Sequence, residues 1–379
     1  MICSDLSANP FLMIRSTFSQ NQQDWRVKYT SLPLKFFFLV ALLFNFISVF
    51  GQEKGTNAKE NIRNTVDKFP AGTELAIAII SNGKTEFIGY KKEQNGVTEI
   101  ENRNSLFEIG SVTKVFTAAL LAKEVEKGKL KLNDPISTFL PDLEVGNGKI
   151  TFQQLATHTS GLPRLSPGML QTTDFLNPYS NYSVQVLLQD LKTAMVQEAQ
   201  IGHSEYSNFG TAVLGYALAT FNKTTFEELL TENMLQPLKM SSTYLDRSQI
   251  KAKLVPGLDV SGRNTSGWDM NAANPAGGMI SSAADLAKFM QEQINAREKW
   301  IQLMQTKQVD LNDRLAIALG WHILKGDNIL WHNGATGGYR SFVAFDPASG
   351  RGIVVLSNVS AMHPQGNNLE KLGISLLKN

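Results

Sequence analysis

Cysteine is almost absent: Cys3 is the only one in 379 residues, and it lies at the extreme N-terminus. The body therefore has no disulfide, no thiolate metal site and no cysteine nucleophile. An excess of charge of either sign is also missing, since 36 Lys+Arg face 34 Asp+Glu for a formal net charge of +2. Without a clustered basic face, a nucleic-acid partner is excluded. The usage is 42% hydrophobic and 18% charged, so the chain is neither disordered nor collagen-like. It can build one large or two medium folding units.

One long apolar run does occur. Phe36 to Phe50 contains only Asn45 and Ser48 as polar residues, and Arg15, Arg26, Lys28 and Lys35 precede it. A basic segment followed by an apolar one is the pattern of a secretory signal. Val49 and Gly51 are small enough for cleavage before Gln52, which would also remove Cys3. The run is short for a span of about 20 residues, which favours cleavage over an uncleaved anchor. Residues 1–51 are thus expected to direct export to the periplasm or beyond, with membrane attachment only if they are retained.

The remainder, 52–379, reads as an α+β unit: an antiparallel sheet flanked by helices, with an all-helical insertion. A helix is expected over Asn57–Phe69. A hairpin follows, Glu74–Ile80 and Lys84–Tyr90, turning at Asn82-Gly83. Ser111–Lys127 is an apolar helix stopped by Gly128. Ser183–Leu191, Phe209–Phe221 and Thr225–Met234 read as helices, and Ser282 with Asp285 opens another through Ile294. Strands return at Ala316–Leu324, Asn328–His332, Tyr339–Asp346 and Gly352–Asn358, before a last helix at Asn367–Leu377. Strands at both ends imply one sheet lobe from about 57–149 and 275–379, with a helical lobe from about 150–274 between them.

Three short motifs carry chemistry. In Gly110-Ser111-Val112-Thr113-Lys114 a serine opens a helix, where unpaired N–H groups and the dipole favour a developing oxyanion. A lysine three positions on shares its face, about 5–6 Å away at Cβ, and can take the hydroxyl proton if it is neutral. The same spacing recurs at Ser81…Lys84, Ser248…Lys251 and Ser375…Lys378, none of which opens an apolar helix. Tyr206-Ser207-Asn208 leads into the helix starting at Phe209, whereas its double, Tyr179-Ser180-Asn181, lies in a Pro- and Asn-rich loop expected at the surface. A phenol near an ammonium can serve as base and then acid. Asn208 offers an amide donor and acceptor. Third comes Trp331-His332-Asn333-Gly334-Ala335-Thr336-Gly337-Gly338-Tyr339-Arg340, a strand whose glycines admit close backbone approach. There the Ala335 N–H can join that of Ser111 as an oxyanion hole, with Arg340 a carboxylate partner.

Ser111…Lys114, Tyr206…Asn208 and His332…Gly334, in this order, resemble the motif set of the serine β-lactamase and penicillin-binding-protein superfamily. The tyrosine form is similar to class C β-lactamases and their DD-peptidase and esterase relatives. Leu130–Pro135, Leu155–Pro163 and Gly338–Pro347 extend the likeness over about residues 60–378. The resemblance implies an acyl-enzyme on Ser111, Lys114 as its proton partner and Tyr206 as general base and later acid. It further implies Asn208, His332, Gly334, Ala335 and Arg340 around the substrate, and no metal or organic cofactor. The expected substrates are β-lactams, D-alanyl peptides or esters. The rival expectation is a penicillin sensor or cell-wall-binding module that acylates without turnover. His332 departs from the lysine of class C enzymes, and a histidine there is a cation only at lower pH. His158 sits among turn formers and is expected to be structural; His203, His322 and His363 receive no role.

Overall fold

The computed structural model describes residues 58–140, 149–194, 196 and 201–379. The signal expected over 1–51 lies outside these residues. Eleven strands are described: β1 Glu74–Ser81, β2 Lys84–Glu93, β3 Gly96–Glu99, β4 Leu106–Glu108, β5 Ile280–Ser282, β6 Val309–Asp310, β7 Leu315–Ile317, β8 His322–Leu324, β9 Ile329–Ala335, β10 Arg340–Asp346 and β11 Arg351–Ser357. Nine form a sheet in the order β3-β2-β1-β11-β10-β9-β8-β7-β6, with every neighbouring pair antiparallel.

The β1–β2 turn uses left-handed backbone at Asn82 (φ 52°) and Gly83 (φ 70°), as a tight two-residue hairpin requires. β1 then pairs with β11, from Leu75↔Ser357 to Ile80↔Gly352, so the two ends of the folded body share one ladder. β1 reads as a nearly unbroken apolar run because both faces of the sheet are covered. Leu75 and Ile77 pack with Phe342, Val355, Leu372 and Leu376, beneath the helices Ala58–Val66 and Asn368–Lys378. Ala76, Ala78 and Ile80 face the other way, toward Phe116, Phe289, Phe345 and Val354. That larger core holds the helices Thr113–Glu126 and Ala283–Asn295, and the Thr113–Glu126 helix is buried on nearly every side.

Several elements differ from the pattern reading. Ala316–Leu324 is not one strand: the chain reverses at Gly320 (φ 73°), where a Cβ would stand 2.7 Å from the Ala118 methyl. β9 runs past His332 to Ala335, because Asn333, Gly334 and Ala335 pair with Phe342, Ser341 and Arg340 despite their turn-like composition. β3, the β4–β5 ribbon and the Lys299–Gln305 helix were not anticipated; strands of three or four residues are too short for a periodic signal. The expected Thr225–Met234 helix is α-helical at Phe226–Leu230 and widens to a π turn over Thr231–Leu235.

The approach that positions the site is between β9 and the turn before the Thr113–Glu126 helix. Ser341 Oγ donates to the Ile109 carbonyl at 2.7 Å, and a Cβ on Gly334 would overlap that same oxygen. Gly334→Ala should therefore lower stability by about 1–3 kcal/mol, the usual cost of overpacking, and disturb the Ser111 turn. Urea unfolding of the variant checks this; an unchanged midpoint would mean that β9 and the turn can separate freely.

Candidate active site

Ser111 lies in a tight helical turn, Gly110–Val112, that runs directly into the Thr113–Glu126 helix. Gly110 is left-handed (φ 47°), and a Cβ there would meet the Ala335 nitrogen at 2.7 Å. The Ser111 turn and the end of β9 thus lie side by side. Lys114, one turn later, is 2% exposed. Its Nζ donates to Asn208 Oδ1 at 2.8 Å and to the Ala276 carbonyl at 2.6 Å, and lies 3.1 Å from Ser111 Oγ. Two of these neighbours can only accept. A neutral amine has two N–H bonds and one lone pair, so both hydrogens go to carbonyl oxygens and the lone pair is left for the serine hydroxyl. Burial, reinforced by the Arg164 charge, holds the Lys114 pKa well below the usual lysine range.

Tyr206 and Asn208 reach this point through a loop fastened at Ser207 and Asn208. Ser207 N–H donates to His158 Nδ1 at 3.2 Å, Ser207 Oγ donates to the Pro163 carbonyl at 2.6 Å, and Asn208 N–H donates to the Arg164 carbonyl at 2.9 Å. Ser207 then caps the Asn208–Asn222 helix by accepting from Gly210 N–H. Lys114 Nζ stands 4.8 Å from the centre of the Tyr206 ring. Burial pushes the phenol up to about 12, against the opposing pull of a hydrogen bond to Ser111. Tyr206 therefore keeps its proton at neutral pH.

His332 faces the same space from β9: its ring is 6.3 Å from that of Tyr206 and 5.2 Å from that of His322. His332 Nδ1 contacts the Asn333 carbonyl at 2.6 Å, which places its hydrogen on that nitrogen. His332 is 2% exposed, and burial above all keeps its pKa well below the ordinary histidine value.

The sequence profile of the beta-lactamase family matches residues 62–375. The chain belongs to the beta-lactamase family. It is 26% identical over 314 residues to Protein flp of Staphylococcus aureus (strain COL), covering 76% of this chain and 59% of flp. The chain thus spans about three-fifths of the length of that relative. It is 25% identical over 347 residues to a Beta-lactamase of Pseudomonas fluorescens, covering 80% of this chain and 94% of that one. Among solved structures, a class C beta-lactamase superposes with a TM-score of 0.70 at 22% identity, covering 87% of this chain and 99% of its own. A class C beta-lactamase in complex with cefoxitin superposes at 0.71, again at 22% identity, covering 85% and 97%. The likeness to these structures shows the shared fold.

Within this beta-lactamase fold, the structure brings Ser111, Lys114, Tyr206, Asn208 and His332 together, with Gly334 and Ala335 alongside. It redirects three other expectations. Arg340 does not present a free guanidinium: it is 4% exposed and donates to Glu370 and Asn367 at 3.1 Å and to the Ala361 carbonyl at 2.7 Å. A buried arginine with its own carboxylate holds the last helix to β10. Burial lowers the His332 pKa well below the ordinary histidine value and so works against the conditional cation expected there. Tyr179 is not a surface residue: it is 3% exposed, packs against Trp268 at 5.6 Å, and its hydroxyl accepts from Asn208 Nδ2 at 3.4 Å. Its loop is pinned by Asn271, which donates to the Tyr179 and Ser180 carbonyls. Both ends of the Asn208 amide are thus engaged within the protein.

His322, given no role from sequence, also borders the site. It stacks on Trp331 at 4.7 Å and lies 6.5 Å from Tyr206, and burial lowers it to about 4. The strand break at Gly320, which sets its register opposite Trp331, left no readable signal. The other Ser-x-x-Lys pairs fall elsewhere: Ser81 and Lys84 oppose each other across the hairpin, Ser248 Oγ donates to Asp246, and Ser375 and Lys378 are in the final helix.

Three buried rings, His158, His322 and His332, have lowered pKa values in the folded chain. Unfolded, each binds a proton below about pH 6.5. The unfolded state then holds more protons, so stability is full above that pH and is lost as pH falls toward the folded values. Each histidine should contribute up to about 1.4 kcal/mol per pH unit to this loss. Urea midpoints measured between pH 7 and 5 should fall steeply, and less steeply in His332→Gln. A midpoint independent of pH would show that the rings accept protons without leaving the fold.

Proposed function

We propose that the chain is a serine hydrolase that acylates Ser111 and hydrolyses ester or amide substrates. The observation that carries this reading is the buried Lys114 amine, 3.1 Å from Ser111 Oγ and held by the Asn208 Oδ1 and Ala276 carbonyl oxygens, an arrangement in which the neutral amine would turn its lone pair to the serine hydroxyl. Lys114 takes the Ser111 proton as Oγ bonds to the substrate carbonyl carbon. The oxyanion is held by the N–H groups of Ser111 and Ala335, whose segments lie against each other. Tyr206, protonated at rest, gives its proton to the leaving group and regains one from Lys114. This assigns the resting base to Lys114 and the acid to Tyr206, since a phenol near 12 is a poor proton acceptor at neutral pH. Water then attacks the ester on Ser111, with the same groups running in reverse.

The neutral His332 favours esters and uncharged amides over substrates that require an ammonium at this place. β-Lactams and D-alanyl peptides stay within the proposed range, in line with the β-lactamase relatives and the cefoxitin-bound neighbour. The basic and apolar segment ending at Phe50 supports an exported protein.

Ser111→Ala should lose covalent labelling by a fluorophosphonate or a fluorescent penicillin. Its ester turnover should fall at least 10²–10³-fold, roughly the loss caused by removing one oxyanion donor. Equal labelling of the variant would refute the assignment. Nitrocefin and p-nitrophenyl esters tested on one preparation separate the alternatives: turnover of esters supports the hydrolase, and a single stoichiometric burst indicates a sensor.

A further inference from the structure

We propose that Arg164 is an anion anchor at the active site and binds a carboxylate of the substrate; this rests on the hydrolase reading above. Arg164 belongs to the segment Gly161-Leu162-Pro163-Arg164, and its carbonyl accepts from Asn208 N–H at 2.9 Å, which locks its backbone to the Tyr206–Asn208 loop. Its guanidinium lies over the Tyr206 ring, 5.1 Å from the centre. The side chain is half-buried, and among the described residues no carboxylate forms an ion pair with it. The neighbouring cations are committed or suppressed. Arg340 is spent on Glu370, Arg247 on Glu108 and Asp269, and the Lys114 amine is buried and engaged by Asn208 and the Ala276 carbonyl. Burial works against a charge on His332 as well.

Arg164 is therefore the permanent cation that a substrate meets beside Tyr206. A planar guanidinium stacked on an aromatic ring keeps its N–H edge available for a carboxylate, in a geometry that lysine cannot copy. Its charge also acts inward: it adds to the lowering of the Lys114 and His158 pKa values by burial and partly opposes the rise of the Tyr206 pKa. The binding event forms no covalent bond. It brings a negative group against the guanidinium and leaves the scissile carbonyl to Ser111.

Matched esters test the anchor. p-Nitrophenyl butyrate and p-nitrophenyl hydrogen glutarate differ by a carboxylate on the acyl half; 4-acetoxybenzamide and 4-acetoxybenzoate differ by one on the leaving half. In Arg164→Gln, the ratio of kcat/KM for an acid ester to that for its neutral match should fall about tenfold in at least one pair, mainly through KM, as expected for loss of a charge-assisted pair. Arg164→Lys should recover part of that ratio, and raising the salt concentration should depress it in the parent. If Arg164→Gln lowers acid and neutral esters equally in both pairs, the residue only positions Tyr206 and the anchor is overturned while the hydrolase stands. A parent that turns over none of the four and takes no label on Ser111 overturns both.

Discussion

A primary amine enclosed by protein and stripped of water sets the terms for the rest of this molecule. Lys114 is on the first turn of a helix buried on nearly every side, where an ammonium would be costly to desolvate and the free amine is the favoured form. Its nitrogen meets Asn208, 94 positions away, and the Ala276 carbonyl, 162 positions away. Three distant segments thus converge on one atom. Their hydrogen-bonding capacities leave a single direction for the lone pair, toward Ser111. Neither the burial nor the two carbonyl oxygens alone would do this. Burial without acceptors would strand two N–H bonds, and acceptors without burial would let water protonate the amine.

The electrostatics around that atom follow from the same enclosure. Tyr206, His158, His322 and His332 surround the serine–lysine pair as uncharged rings in mutual contact. A charge on any histidine would face the others and Lys114 in a space with little water. Each pKa moves toward the neutral form for that reason, and the phenol moves toward the protonated form. These groups form a polar cluster of rings beside one guanidinium, that of Arg164, which lies over the Tyr206 ring.

Legibility in the sequence followed the range of the determining contacts. The hairpin at Asn82-Gly83, the apolar helix after Ser111 and the helix opened by Ser282 are local signals, and each element formed near its expected place. That both ends of the folded body share one sheet followed from strand patterns at both ends with helices between them; the specific β1–β11 pairing did not. The Ser111–Lys114–Tyr206–Asn208 set was readable because its spacing and helix entries are written locally. The parts that were not readable depend on partners remote in the chain. Tyr179 looked like loop because its burial comes from Trp268 and Asn271, some ninety residues away. His322 looked incidental because Gly320 breaks a run that otherwise scans as one strand. Arg340 looked like a substrate contact because nothing near it in sequence announces Glu370, its buried counter-charge.

The third motif shows how a chemical spelling can be mostly a packing requirement. Of Trp331 to Arg340, His332 supplies the side chain that faces Tyr206 and His322. Gly334 contributes by having no side chain, since the Ile109 carbonyl occupies the space a Cβ would need. Ala335 contributes its backbone, against Gly110, and Arg340 is turned inward to Glu370. What the segment chiefly specifies is the separation between two backbones, the end of β9 and the Ser111 turn. That separation decides whether the Ser111 and Ala335 N–H groups can act on one oxygen. The lysine-to-histidine departure at 332 leaves the separation untouched, because β9 stays in register with β10 through backbone pairing. The approach of β9 to the Ser111 turn is therefore mechanically independent of the side chain at position 332. A change at position 332 can alter the charge that faces Ser111, Lys114 and Tyr206 while this backbone geometry persists.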